Sequence, residues 1–181
     1  GTYAEGTDQK KALLVFESEL DTLARNKAGI DPIKPLLKAI NSIRSINDMQ
    51  TIYATTTGVS APFAGIGANA DLNDSKINTA WVYPGGLGLQ RDYYLDQDTK
   101  SQEIREQYTN HVARMLGFVG YSDKDAANAA KRILELETKL AKPRLDKVQS
   151  RDIRNFNNPR TLKELSAMTP LIDWNKFTKD L

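Results

Sequence analysis

The chain has 181 residues, with 25 Lys and Arg against 23 Asp and Glu, one His and no Cys. Its length suits one domain with a real hydrophobic core, and 40% hydrophobic with 27% charged residues is the balance of a soluble globular protein. Zero Cys excludes disulfides and thiolate metal sites, one His excludes a site needing two imidazoles from this chain, and a net charge of +2 with interspersed signs gives no basic face for nucleic acid.

The first periodic segment runs from Asp8 to Asn26, where Leu13, Phe16, Leu20 and Leu23 recur at helical spacing and Gly29 stands as the stop. Asp31-Pro32 then reads as an N-cap followed by proline at the first helical position, opening a helix through Ile33, Leu36, Leu37, Ile40 and Ile43. Ser45 with Asp48 has capping-box spacing and opens a third helix through Met49, Ile52 and Tyr53. From Gly58 to Pro84, glycines, prolines and a polar stretch break any helix. Phe63 to Ala68 and Ile77 to Tyr83 are predicted to pair there as a hairpin.

Helical periodicity returns with Ile104, Tyr108, Val112 and Met115 and is expected to stop at Gly117 and Gly120. Ser122 to Asp125 caps a helix carrying Ala126, Ala129, Ala130, Ile133, Leu136 and Leu140, ending near Pro143. Thr161 with Glu164 is a further capping box for a short helix before Pro170, and Asp173 caps a last one from Trp174 to Leu181. The sum is a mainly α fold: a single multi-helix domain over residues 1–181 with one small β-hairpin.

Residue chemistry alone is bland. His111 has no partners that the sequence specifies, so a surface or structural histidine is the better reading. Asp96 with Asp98, and Asp123 with Asp125, lack the spaced loop and terminal Glu of a calcium site and instead precede helices, where carboxylates complement the dipole. Gly85 to Leu89 lacks the Gly-Lys-Ser/Thr ending of a phosphate loop and reads as a turn between hairpin and helix. The basic stretch from Lys139 to Arg154 is interrupted by Asp146 and Asp152 and reads as a solvated face. No apolar run approaches the ~18 residues of a membrane span.

Gly85-Gly-Leu-Gly-Leu-Gln-Arg-Asp-Tyr-Tyr-Leu95 resembles the Gly-Leu-Gly-Leu-Pro-x-Arg-Asp-Tyr-Tyr signature of the neprilysin and endothelin-converting-enzyme family of zinc peptidases. Four more segments fall in family order, the first of them ahead of the hairpin: Gly29 to Ile40; Glu135 to Ala141; Arg151-Asp152 with Phe156-Asn157; and Thr161-Leu162, Leu165 and Ile172 to Asn175. The flavour is that of the bacterial oligopeptidases in the family. Departures are visible: one residue is missing between Leu89 and Arg91, Gln90 stands where proline is usual, Ile153 replaces a proline and Phe156 a tyrosine.

The resemblance implies a helical cap domain, cut from a longer chain, that encloses a chamber over the catalytic domain of the same parent. Oligopeptides would be its substrates and zinc the parent's cofactor. The His-Glu-x-x-His helix that holds the zinc is expected outside these residues, as is the Arg/Asp cluster that holds a substrate's carboxylate. The fragment is accordingly expected to be inactive, with no catalytic, cofactor or metal residue of its own. A periplasmic, envelope or secreted bacterial location is implied, with the cytoplasm left open. The residues expected to form a structural junction are Gly86, Gly88, Leu89, Arg91, Asp92, Tyr93 and Tyr94, together with Arg151 and Asp152. A free-standing helical binding or scaffold protein is the alternative, and an unrelated all-α enzyme has only the lone His and scattered acids in its favour.

Overall fold

Asp21 divides the first predicted helix in two. In a computed structural model, which describes residues 2–55 and 64–175, α1 spans Asp8–Leu20 and α2 spans Thr22–Ala28. The Asp21 carboxylate accepts the Ala24 N–H at 2.9 Å while its own backbone leaves the helical region at ψ 74°, so one residue ends α1 and caps α2. Gly29 stops α2 as expected, at φ +53°. The next prediction shifts by a turn. Asp31–Ile33 forms a 3₁₀ turn, with Ile30 rather than Asp31 at its cap, and α3 is Lys34–Asn41. Asp31 instead pairs with Lys34 at 2.5 Å.

The chain divides into two compact units, Gly1–Asn41 and Ser42–Leu181. Among the described residues of the first, no side chain is buried; Phe16 is 60%, Leu20 62% and Leu23 82% exposed.

The second unit opens with α4, Ile46–Thr55. Ser45 Oγ accepts the Asp48 N–H, and the Asp48 carboxylate accepts the N–H of Arg44 rather than of Ser45, a shifted version of the expected box. The hairpin pairs β1 (Ala64–Ala70) antiparallel with β2 (Asn78–Pro84), from Ala64 opposite Pro84 to Ala70 opposite Asn78. Phe63, at the predicted strand start, lies outside the described residues. Asp71 shapes the connection, its Oδ1 accepting the N–H groups of Asn73 and Asp74. Trp81 and Tyr83 stack on one face at 5.9 Å between ring centroids.

Helix α5 is Arg91–Leu95, α6 is Thr99–Phe118 and α7 is Asp123–Ala141; α6 and α7 pack along each other and α5 packs on both. Helix α6 runs through Gly117, one of the two expected stops, to Phe118, and Gly120 lies just past its cap residue Val119. There Tyr121 N–H bonds to Leu116 C=O and Gly120 N–H to Gly117 C=O, with Gly120 at φ +97°. This is the Schellman closure, which needs its glycine one residue past the cap.

On α7 the buried stripe is Ala126, Ala130 and Ala141, with Leu134 and Glu137 half-buried between them. Leu136, expected on the inner face, is 47% exposed. The small alanines let the two long helices approach closely. Two 3₁₀ turns, Gln149–Arg151 and Ile153–Phe156, lead to α8, Leu162–Met168, which has the complete Thr161/Glu164 capping box. Buried Gln50 of α4 exchanges hydrogen bonds with the Asp173 backbone, and Trp174 Nε1 donates to Thr169 Oγ1 at 2.7 Å. The predicted last helix lies outside the described residues beyond Asn175. Among the described residues the fold is mainly α with one two-stranded sheet, and no helix is long and apolar enough to cross a membrane.

Candidate functional site

The Gly85–Tyr94 segment connects β2 to α5, and its geometry centres on a residue outside it. Glu137, on the inner stripe of α7, takes three donors. Gly88 N–H reaches Oε1 at 3.2 Å, while the hydroxyls of Tyr94 and Tyr108 reach Oε2 at 2.9 and 2.8 Å. The Tyr94 oxygen also accepts the Leu89 N–H at 2.9 Å. One carboxylate thus ties the junction backbone to α5, α6 and α7, and consecutive N–H groups that no strand or helix satisfies find their acceptors there. Tyr94 is 3% exposed, so its hydroxyl needs these partners.

Gly88 is required by space and not by conformation. Neither it nor Gly85 or Gly86 has a positive φ. A Cβ at Gly88 would overlap the hydroxyl and ring of Tyr108, with ring carbon Cε2 at 2.6 Å.

Arginines close the remaining joints. Arg91 Nε donates to Arg144 C=O at 2.9 Å, and Arg144 Nη2 donates to Gly85 C=O, so the turn after α7 is laced to the junction in both directions. Arg105 Nη1 donates to the carbonyls of Tyr93 and Asp96 at 2.6 and 2.8 Å. Helix α5 has only five residues. Such a helix is too short to persist alone, and tertiary anchors hold its last turn.

Asp92 is bracketed by Lys147 at 2.9 Å and Arg91 at 3.3 Å. The Lys147 hydrogen bond, ahead of the Arg91 contacts, holds its carboxyl below the usual range. Its contribution to stability is present at neutral pH and is lost as pH falls through that lowered value.

The structure thus brings Gly88, Leu89, Arg91, Asp92, Tyr93 and Tyr94 together, with Gly86 exposed in the same connection. Arg151 and Asp152 join a different set of contacts. Asp152 caps the following turn and pairs with Arg154 at 2.6 Å, and exposed Arg151 ends the preceding one. Glu137, Tyr108, Arg105 and Arg144 are the members the sequence reading missed. The signal for Glu137 was present: it is a charge at the spacing of the buried stripe of α7.

Burial first, then the Glu137 carboxylate that accepts its proton, pushes the Tyr94 hydroxyl up to about 12, against an opposite pull from the Leu89 N–H. Burial followed by Glu137 raises Tyr108 as well. Both phenols are therefore protonated donors at neutral pH, with no capacity as base or nucleophile. A pKa raised on folding stabilises fully below the unfolded value near 10 and loses that contribution as pH climbs through the folded value. Denaturation series are expected to show an alkaline loss of stability in the wild type between about pH 10 and 12. The Tyr94→Phe/Tyr108→Phe double variant should lose less over the same window, and equal losses would dismiss the clamp as the titrating element.

The remaining candidates are local. His111 is exposed, with Nδ1 beside Arg114 Nη2 at 3.2 Å. Asp98 caps α6 and Asp123 and Asp125 lie in the first turn of α7. Among the described residues no group of three or more His, Cys, Asp or Glu is placed to hold a metal ion.

Residues 2–181 match the N-terminal profile of peptidase family M13. Endothelin-converting enzyme 1 of Rattus norvegicus is 31% identical over 183 residues, covering 93% of this chain and 23% of the relative. That of Cavia porcellus is 32% identical over 119 residues, covering 65% of this chain and 16% of the relative. Among solved structures, the Mycobacterium tuberculosis zinc metalloprotease ZMP1 in complex with an inhibitor superimposes with a TM-score of 0.86 at 31% identity, over 99% of this chain and 27% of that one. Its open state gives 0.84 at 30% identity, over 99% and 28%. The chain belongs to peptidase family M13, as an N-terminal domain of the neprilysin-type zinc metallopeptidases. It spans about a quarter or less of the length of these relatives.

Proposed function

We propose that this chain is the substrate-access, or cap, part of a zinc-dependent metalloendopeptidase that cleaves oligopeptides. The observation that carries the reading is the likeness over nearly the whole chain, in sequence and in fold, to the N-terminal part of a zinc metalloprotease. In this reading zinc and peptide-bond cleavage belong to a catalytic partner domain, and the chain alone is inactive. The Gly88–Tyr94 clamp is a structural junction that fixes the hairpin to the helices. The exposed Phe16 and Leu20 of α1 and Leu23 of α2 support a docking face for the rest of the parent, since grouped exposed apolar side chains mark interaction surfaces. A bacterial periplasmic or envelope location goes with this reading and rests on the resemblance alone.

The test compares the purified 181-residue chain with the same chain joined to its catalytic domain. Both are assayed on an internally quenched oligopeptide and on a folded protein, with and without a chelator. Only the longer protein should cleave, only the peptide should be cut, and the chelator should abolish the activity. Zinc-dependent cleavage by the 181-residue chain alone would overturn the assignment of its role.

A further inference from the structure

The hairpin leaves one edge without the protection that strand edges ordinarily carry. Among the described residues β1 and β2 form the whole sheet, so no strand lies beside β2 on the side away from β1. Their seven pairs run without a bulge. Just past the last pair, Asp71 N–H bonds to Ile77 C=O at 3.0 Å, which sets the alternation of the ladder. Thr79, Trp81 and Tyr83 therefore turn their backbone groups toward β1, while Ala80 and Val82 turn theirs outward. Exposed edges are usually blunted by charge, a bulge or an interior proline. Asn78–Pro84 has no charged residue, and its proline stands only at the end.

Thr79, Ala80, Trp81 and Val82 line a cleft of about 580 Å³. Successive strand residues point to opposite faces, so a cleft that meets all four runs along the edge. Its opposite wall is formed by residues 155–160, with Leu165 and Trp174 beside them. Asn73 and Asn157 exchange side-chain hydrogen bonds at 3.3 and 3.0 Å, which ties the hairpin turn to that wall and holds the cleft open to a fixed width. Trp81, Val82, Phe156, Leu162, Leu165 and Trp174 make the lining largely apolar. Asp71 and Arg160 are its one carboxylate and one guanidinium, so the cleft has no net charge to offer.

We propose that this cleft binds an extended, uncharged segment of a separate polypeptide, which adds a third strand to the hairpin along β2. The backbone of the segment pairs with the outward groups of Ala80 and Val82, and its alternate side chains rest on the apolar lining. Four residues of strand span about 13 Å, so the bound stretch is about four residues long. The wall tied down by Asn157 favours one inserted strand over the whole hairpin of a second copy. The inference rests on the hairpin and its cleft and does not depend on the peptidase reading.

The probe is N-acetylated, C-amidated Val-Thr-Val-Thr, titrated calorimetrically into the 181-residue chain. Two twins are N-methylated at alternate residues, one at both valines and the other at both threonines. In a strand only one of these sets faces β2. One twin should therefore bind at least about tenfold more weakly, the worth of two lost hydrogen bonds, and the other should stay within about twofold of the unmethylated peptide. Ala80→Pro removes one outward donor and leaves the pairs with β1 in place, and should weaken the unmethylated peptide about fivefold or more.

No binding of the unmethylated peptide, or equal losses in the two twins, overturns the proposal, and neither result needs a variant to fold. A dimer of the chain that Ala80→Pro dissolves would give the edge to a second copy and overturns it as well. The titration is repeated on the chain joined to its catalytic domain. Binding should persist there, and its loss would mean that the parent covers the edge with its own residues, which overturns the choice of a separate peptide.

Discussion

Glu137→Ala is expected to lower the unfolding free energy by about 3 kcal/mol, because it strands three donors at once. Gly88 N–H and the hydroxyls of Tyr94 and Tyr108 all converge on that carboxylate. An unsatisfied buried donor costs roughly 1–3 kcal/mol, and Glu137 and Tyr108 are half-buried, so water recovers part of the sum. Glu137→Gln should cost less, about 1–2 kcal/mol, since its amide oxygen still accepts but its NH₂ group cannot replace the second carboxylate oxygen. Glu135, exposed and two residues away on the same helix, is the control, and Glu135→Ala should stay within about 0.5 kcal/mol. Urea unfolding at neutral pH gives all three values, with an unchanged slope showing that the denatured state is not the cause. If Glu137→Ala behaves like Glu135→Ala, the clamp does not hold the fold.

Gly88→Ala is the second large effect, about 2 kcal/mol of destabilisation from overpacking. The new methyl would overlap the Tyr108 side chain, whose hydroxyl is fixed by Glu137 at 2.8 Å and so cannot simply swing aside. Gly29 and Gly120, at φ +53° and +97°, would instead suffer backbone strain on substitution. A double-mutant cycle separates the two causes. Tyr108→Ala destabilises by itself but removes the obstacle. The Gly88→Ala/Tyr108→Ala pair should therefore be at least about 1 kcal/mol less destabilised than the sum of its parts. Strict additivity would show that the overlap is not what excludes a side chain at position 88.

What was legible in the chain was what short-range chemistry decides. Thr161 with Glu164 and Ser122 with Asp125 announce helix starts because a cap joins residues three apart. The hairpin was legible for a similar reason: two extended runs separated by a polar connection have little choice but to pair. The break at Asp21 was missed because the apolar period runs straight through it. The same carboxylate that fits a helix surface also fits a cap, and periodicity cannot distinguish them. Helix α7 shows the converse error. Leu136 looks like core by composition but is 47% exposed, while the buried stripe of Ala126, Ala130 and Ala141 passes through half-buried Glu137.

By itself, then, the sequence determined the helical class, the place of the hairpin and the capped starts of α4, α7 and α8. Its motif order determined the family, which the match over residues 2–181 bears out. Only the tertiary structure decided the clamp. Gly88, Leu89, Tyr94, Tyr108 and Glu137 are separated by up to 49 positions along the chain and meet only once α5, α6 and α7 have packed. No local rule links a glycine's missing side chain to a tyrosine on one helix and a carboxylate on another. Close packing does link them: the space left at Gly88 is the space the Tyr108 hydroxyl fills, and that hydroxyl is held there by the charge of Glu137.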